Sequence, residues 1–188
     1  MIRDHDRSLW IGASDTSYVM GNWKTETFSK WWLQKLGVNK DHIQTKAMKV
    51  GNAFEHKVLD TIKKVKVKDT QITIPELGLR VNYDGTGYDY ICEVKTSKND
   101  YKLSKAHWQQ AQVEMLAWIW LTGNIPDLEI AAYKVTEEEY LNYFTPINTE
   151  RLVILPVEYD ESFAEKYLER LKVLHECIER GVKPQWTV

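Results

Sequence analysis

The sequence has little cysteine, no long apolar run and no excess of positive charge. Its two cysteines, Cys92 and Cys177, form no C-x-x-C pair, so they indicate free thiols in a reducing cytoplasm rather than a disulfide framework or a paired-cysteine metal site. No apolar segment reaches the length of a membrane span, and the charged start MIRDHDRSLW is unlike a signal peptide. We therefore expect a cytoplasmic protein without a membrane segment.

The net charge of −2 argues against a surface coated with Lys and Arg, although positive charge concentrated in a channel remains compatible with it. A hydrophobic content of 43% and eight tryptophans exclude a disordered chain. The sequence also lacks internal repeats, flexible linkers, a P-loop, a G-x-S-x-G elbow and an H-E-x-x-H motif. We expect residues 1–188 to form a single α/β domain.

Hydrophobic periodicity and turn residues divide the chain into helices and strands. Helices are predicted over residues 13–21, 25–36, 45–65, 104–121 and 161–180. Strands are predicted over residues 71–75, 77–85, 88–96, 129–135, 141–147 and 151–157. This order predicts a mixed central β-sheet flanked by helices on both faces.

Polar residues interrupt the apolar faces of two predicted helices. Glu55 falls in the middle of a stripe made by Met48, Val58, Leu59 and Ile62. A buried carboxylate needs a cation, a metal or a donor, and a salt bridge to a core Lys or Arg would also satisfy it. Gln112 lies on the apolar face of the helix over 104–121, whereas Gln110 and Glu114 lie opposite. A hydrogen bond to a neighbouring backbone would equally explain a buried Gln112.

The stretch DGTGYDYICEVK, residues 84–95, concentrates charge in a strand-like run. Glu93 and Lys95 share one strand face, and a turn at Gly85 and Gly87 brings Asp84 towards Glu93. Two carboxylates this close repel each other unless a divalent cation lies between them, which favours Mg²⁺ or Mn²⁺. Lys95 could then position or deprotonate a water molecule and offset phosphate charge, although an ordinary cross-strand Glu–Lys pair explains the same pattern.

Taken together, these residues resemble the PD-(D/E)xK nuclease superfamily, and within it the viral recombinase exonucleases of the lambda exonuclease and YqaJ type. Tyr83 stands where the family usually has a proline. The segments that carry the resemblance follow the family's order along nearly the whole chain. They are IGASD at 11–15, GNAFE at 51–55, YDG at 83–85, EVK at 93–95, QAQVEM at 110–115 and IERGVKP at 178–184.

The resemblance implies a restriction-endonuclease-like core and an exodeoxyribonuclease that uses Mg²⁺ or Mn²⁺, with two ions in the site. Asp84, Glu93 and the backbone carbonyl of Val94 are the implied metal ligands. Glu55 is implied to bind metal directly or through water. Lys95 is implied to orient the nucleophilic water, and Gln112 to orient Lys95 or a metal-bound water. Digestion is expected to run 5′ to 3′ on one strand of linear duplex DNA and to leave 3′ overhangs for recombination.

A binding pocket for the 5′-terminal phosphate is also implied, formed by Arg7 and Ser14. Ser14 lies at the start of the helix predicted over residues 13–21, whose N-terminus offers N–H groups to an anion. Without the resemblance, Ser14 would be read as a helix N-cap and Arg7 as a surface charge.

The same resemblance implies several partners: the ends of double-stranded DNA, two further subunits in a ring-shaped homotrimer, and a single-strand annealing protein. It also implies a phage or prophage origin in a bacterial host. Two alternatives stay open, namely an endonuclease on the same fold and a DNA-binding module with a decayed catalytic site.

Overall fold

The protein is described by a computed structural model over residues 8–38 and 45–185. Its helices are α1 (Thr16–Val19), α2 (Glu26–Lys35), α3 (Lys46–Leu59), α4 (Lys105–Thr122), α5 (Glu137–Leu141) and α6 (Glu161–Glu179). Its strands are β1 (Ile11–Gly12), β2 (Val67–Ile74), β3 (Leu79–Gly87), β4 (Tyr90–Ser97), β5 (Asp127–Lys134) and β6 (Leu152–Val157). Across these two described ranges, no helix is long and apolar enough to cross a membrane.

The six strands form one mixed sheet in which β3, β4, β5 and β6 are successive neighbours. β4 and β5 run parallel, whereas β3 with β4 and β5 with β6 run antiparallel. On its other side β3 pairs with β2 along most of its length. The short β1 pairs in parallel with the start of β3, on the same side as β4. The mixed sheet predicted from the sequence is confirmed.

Helices cover both faces of the sheet, which is also as predicted. On one face, α3 buries Val50, Phe54 and Val58 against Cys92 and Val94 of β4. A larger apolar cluster on the other face includes residues of α2, α4 and α6. Burial of these side chains, at about 25 cal/mol per Å² of apolar surface, is the main force that holds both helical layers on the sheet.

Several predicted elements are corrected by the structure. The helix predicted over 13–21 is a 3-10 turn, Ala13–Asp15, followed by the four-residue α1. The helix predicted over 45–65 ends at Leu59, six residues early, and the chain then turns into β2. These shifts move boundaries without changing the order of the elements.

The strand predicted over 141–147 is wrong, because α5 and an irregular segment occupy that region. Thr136 caps α5 by accepting the N–H of Glu139, and the Glu139 carboxylate accepts the N–H of Thr136 in return. Arg151 then pairs with both oxygens of the same carboxylate at 2.7 Å. This local cap and ion pair stabilise α5 up to Leu141, and residues 142–147, where side-chain alternation indicates a strand, are irregular.

Candidate active site

A cavity of about 830 Å³ opens where β3 and β4 separate. The two strands pair only from Gly85 with Cys92 to Gly87 with Tyr90, while β4 stays paired with β5 along its whole length. Asp84 and Glu93 are the first residues beyond the point of separation. The fork therefore presents both carboxylates to the cavity, between α3 on one side and α4 on the other.

Asp84 is tied to the fork by a hydrogen bond. The backbone N–H of Val94 donates to the Asp84 carboxylate at 2.8 Å, so this side chain replaces the strand partner that β4 loses at the fork. The hydrogen bond fixes the Asp84 carboxylate next to the Glu93–Lys95 segment. Three of the predicted site residues, together with Val94, are thus brought together by the divergence of two strands.

Lys95 and Glu93 form a close pair on the α4 side of the fork. The Lys95 ammonium lies 2.6 Å from Glu93 Oε1 and 3.2 Å from the side-chain oxygen of Gln110. The Gln110 amide nitrogen donates to Glu93 at 2.6 Å and to Glu114 at 2.8 Å. Gln110 therefore links the Glu93–Lys95 pair to a further carboxylate on α4.

Glu114 is fully buried, with 0% of its surface exposed, and Glu93 is 4% exposed. Within the described ranges, Glu93 Oε2 and Glu114 Oε2 have no hydrogen-bond partner. A buried carboxylate oxygen without a donor is costly, and a cation or a proton would satisfy it. These two atoms mark the point in the cavity where negative charge is least compensated.

The electrostatics of the cavity follow from this crowding. Burial, followed by the negative charges of Glu93 and Glu55, raises the pKa of Asp84 well above its usual range. Burial, and then the negative charge of Glu93, raises the pKa of Glu114 well above its usual range. The same two effects raise the pKa of Glu55. Burial alone would lower the pKa of Lys95, but the charge and hydrogen bond of Glu93 outweigh it and raise that pKa. Lys95 is therefore a stable cation in the metal-free protein.

Glu55 lines the cavity from α3, half-buried at the edge of the helix's packed face rather than in its middle. Met48, predicted to be buried on that stripe, is 53% exposed and also lines the cavity. One ligand atom from each of Glu55, His56 and Asp69 lies within 4.8 Å of the others. His56 Nε2 is 3.1 Å from the Asp69 carboxylate, so this trio extends the acidic wall beyond Asp84.

Gln112 is not brought to Lys95, contrary to the sequence prediction. It is fully buried, donates to the backbone carbonyl of Glu158 at 2.8 Å and accepts the N–H of Asp160 at 2.7 Å. These hydrogen bonds tie α4 to the segment between β6 and α6. The position beside Lys95 that was predicted for Gln112 is occupied by Gln110.

Sequence periodicity placed the two glutamines on opposite faces of the helix, but it could not show which face meets the cavity, because α4 is buried nearly all round from Gln109 to Ala117. The signal that was available is spacing: Gln110 and Glu114 lie four residues apart and so share one helix face. That face is polar because it forms a wall of the cavity, not because it meets solvent. Glu114 was missed for the same reason.

Of the predicted 5′-phosphate residues, Arg7 lies outside the described residues. Ser14 is exposed and lines the cavity at the 3-10 turn. The Asp15 carboxylate already accepts the N–H of Gly12 at 2.8 Å and pairs with the Lys35 ammonium at 2.6 Å. This turn therefore presents Ser14 to the cavity rather than the free N-terminus of a long helix, and Lys35 of α2, which also lines the cavity, is already paired with Asp15.

Comparison with known proteins supports the resemblance. The sequence matches no protein-family model and no curated protein. Its structure is similar to the alkaline exonuclease LHK-Exo from Laribacter hongkongensis, at 15% identity and a TM-score of 0.69 over 93% of this chain and 90% of that chain. The same enzyme in complex with dAMP matches at 17% identity and a TM-score of 0.68, over the same shares.

A phage-related exonuclease from Haemophilus somnus 129PT is also similar, at 12% identity and a TM-score of 0.53 over 92% of this chain and 95% of that chain. At such identities the likeness shows a shared fold. The restriction-endonuclease-like α/β core expected from the sequence is thus confirmed, and it extends over nearly the full length of the structures compared.

Proposed function

We propose that this protein is a divalent-metal-dependent exodeoxyribonuclease that degrades one strand of linear duplex DNA. The observation that carries the proposal is the strand fork, which gathers Asp84, Glu93 and Lys95 at one cavity, with Glu55 across it. Carboxylates with raised pKa values that meet in a cleft, as Asp84 and Glu55 do here, are typical of a functional site. The similarity of the fold to structures of exonucleases supports the same conclusion.

The donor set fits Mg²⁺ or Mn²⁺. Asp84, Glu93 and the backbone carbonyl of Val94 would hold the ion, and Glu55 would complete the site or contribute to a second ion. These are oxygen ligands, which both cations prefer, and the unpartnered Glu93 Oε2 is a ready ligand atom. When bound, the cation supplies Lewis-acid stabilisation of negative charge on the phosphate.

Lys95 acts in this scheme as a fixed cation. Its raised pKa keeps the ammonium protonated, so it donates hydrogen bonds to the attacking water or to the phosphate rather than removing a proton. Gln110 holds the ammonium against Glu93 and thereby takes the orienting role that the sequence assigned to Gln112. Glu114 fixes Gln110 through the second hydrogen bond of its amide.

Digestion in the 5′ to 3′ direction, with 3′ overhangs as product, is part of the proposal. Ser14 on the cavity wall supports it, since a hydroxyl there can donate to a terminal phosphate, and Lys35 and Arg80 line the same wall. Arg7 is proposed as a further contact. A ring-shaped trimer, a single-strand annealing partner and a role in phage-type recombination in the bacterial cytoplasm are proposed from the family resemblance.

A gel assay tests the proposal. Linear duplex DNA labelled at either end and closed circular plasmid are incubated with the protein in Mg²⁺ or in EDTA. We expect digestion of linear DNA only, in Mg²⁺ only, with the 5′ label released first and 5′-phosphorylated ends preferred. Cleavage of the circle would indicate an endonuclease on this fold, and DNA binding without cleavage in either metal would indicate a decayed site.

A further inference from the structure

His107 is a cavity residue that neither the sequence motifs nor the scheme above uses. It lies in the first turn of α4 and lines the same cavity as Gln110 and Glu114. The spacing of residues 107, 110 and 114 puts all three on one helix face, with His107 one turn nearer the N-terminus. His107 therefore lines the cavity one helical turn from Gln110, the residue that contacts the Glu93–Lys95 pair.

Tyr101 holds the His107 ring in place. Its hydroxyl oxygen lies 2.7 Å from His107 Nδ1, and the two rings are nearly parallel, with centroids 5.7 Å apart and an interplanar angle of 5°. Tyr101 itself packs against the large apolar cluster under α4. In the described ranges, Nε2 of His107 has no hydrogen-bond partner, so it is the ring nitrogen left for a ligand.

The protonation of this pair decides what Nε2 can offer. Burial, and then the positive charge of Lys95, lowers the pKa of His107 and keeps its imidazole neutral at pH 7. Burial raises the pKa of Tyr101, so the phenol keeps its proton. A neutral imidazole carries one proton, and a tyrosine O–H that donates to Nδ1 leaves that proton on Nε2.

We propose that His107 binds a backbone phosphate oxygen of the DNA strand through its Nε2–H, and that Tyr101 is a positioning residue that fixes this tautomer. The proposal rests on the proposed nuclease function. A cationic side chain among the carboxylates of this cavity would pair with them, as Lys95 does with Glu93, whereas a neutral N–H donor stays available to phosphate. It is also indifferent to base sequence, as digestion of arbitrary DNA ends requires.

Two substitutions at His107 separate a donor from a packing role. His107→Gln keeps an N–H donor at a similar reach, whereas His107→Leu keeps the bulk without a donor. We expect His107→Leu to lower kcat/KM on linear duplex DNA by about 10- to 100-fold, the effect of one hydrogen bond to a charged group, and His107→Gln to stay within about threefold of the wild type. Thermal unfolding of each variant establishes that it is folded.

Nitrogen NMR of the histidine side chains tests the contact without catalysis. In the metal-free protein we expect His107 as the Nε2–H tautomer, and we expect its Nε2 resonance to shift when a deoxynucleoside 5′-monophosphate is added. The signal missing from His107→Gln assigns it, and His175 on α6, which does not line the cavity, is the internal reference. Tyr101→Phe keeps the ring but should give a mixture of tautomers.

The outcomes separate this proposal from the nuclease function. If the wild type digests DNA and His107→Leu does so equally fast, the His107 contact is refuted and the nuclease function stands. If the wild type digests no DNA, the nuclease function fails, and a His107 resonance that is unmoved at saturating nucleotide refutes the contact as well. A His107 that is the Nδ1–H tautomer in the wild type refutes the role of Tyr101.

Discussion

Replacing Gln112 by leucine gives opposite results under the two roles considered for this residue. If Gln112 oriented Lys95, as the sequence pattern indicates, Gln112→Leu would remove a buried polar group, leave stability unchanged or raised, and lower activity. In the structure Gln112 instead bridges α4 to the start of α6 through backbone atoms of Glu158 and Asp160. We therefore expect a loss of stability and little change in turnover.

The magnitude follows from the two hydrogen bonds lost. An unpaired backbone group costs about 1–3 kcal/mol, the higher values applying to groups that water cannot reach. Glu158 and Asp160 are both exposed residues, so water can partly replace the glutamine, and the low end of the range applies. The sum is about 2 kcal/mol, which lowers Tm by about 4–8 °C in a protein of this size.

The assay is denaturant or thermal unfolding followed by circular dichroism, together with turnover measured well below the lowered Tm. Gln110→Leu is the matched control, because it makes the same chemical change two residues earlier on the same helix. We expect Gln110→Leu to lower turnover, since Lys95, Glu93 and Glu114 all lose a partner, and because two of these groups are buried carboxylates it should also lower Tm. Turnover, not Tm, is therefore the measurement that separates the two variants. A Gln112→Leu variant that unfolds like the wild type but has lost turnover would refute this assignment.

Three further predictions concern charged groups. Asp84→Asn should lower cleavage by at least about a thousandfold. It should also raise Tm in metal-free buffer near neutral pH, because the raised pKa of Asp84 means that its ionised form destabilises the fold. This gain in Tm should vanish at acidic pH, where Asp84 of the wild type is protonated. Lys95→Ala should lower turnover about 100-fold or more with DNA binding largely retained. If the buried Glu93–Lys95 pair on β4 were only structural, the substitution would cost about 3–5 kcal/mol of stability and no activity in the folded protein. Glu139→Gln should cost about 3 kcal/mol of stability near neutral pH, since hydrogen bonds from Arg151 and Thr136 overcome burial and lower the pKa of Glu139 from 4.5 to about 2. The stabilisation by Glu139 in the wild type should be complete above pH 4.5 and lost as the pH falls towards 2. Urea unfolding at a series of pH values would contradict this if wild type and variant showed the same pH dependence.

The part of the site that local sequence specifies was predictable. Asp84, Glu93 and Lys95 lie on adjacent strands joined by a tight turn, so their convergence follows from strand geometry and the position of the glycines. Near these residues the choice of turn, register and facing side chain is made by neighbours in the sequence.

The parts that depend on distant contacts were not predictable in the same way. Gln110 and Gln112 differ in role because the cavity lies on one side of α4 and the β6–α6 connection on the other, and both sides are buried. The carboxylate of Asp15, a residue within the helix predicted over 13–21, is held by Lys35 and Trp31 of α2, and the local sequence does not indicate these contacts. Hydrophobic periodicity indicates which residues are buried, but it does not indicate which groups they contact.

The crowding of carboxyl groups at the fork is itself an argument for function. Asp84, Glu55 and Glu114 all have raised pKa values, which means that each ionised group lowers the stability of the metal-free fold. A sequence selected for stability alone would place apolar or amide side chains at these buried positions, because such replacements are neutral or favourable. The chain instead keeps them facing a cavity, with Lys95 as the compensating cation in contact with Glu93. Several destabilising carboxyl groups gathered at one cavity indicate a site for binding positive charge. A divalent cation is the ligand that this set of oxygen atoms fits.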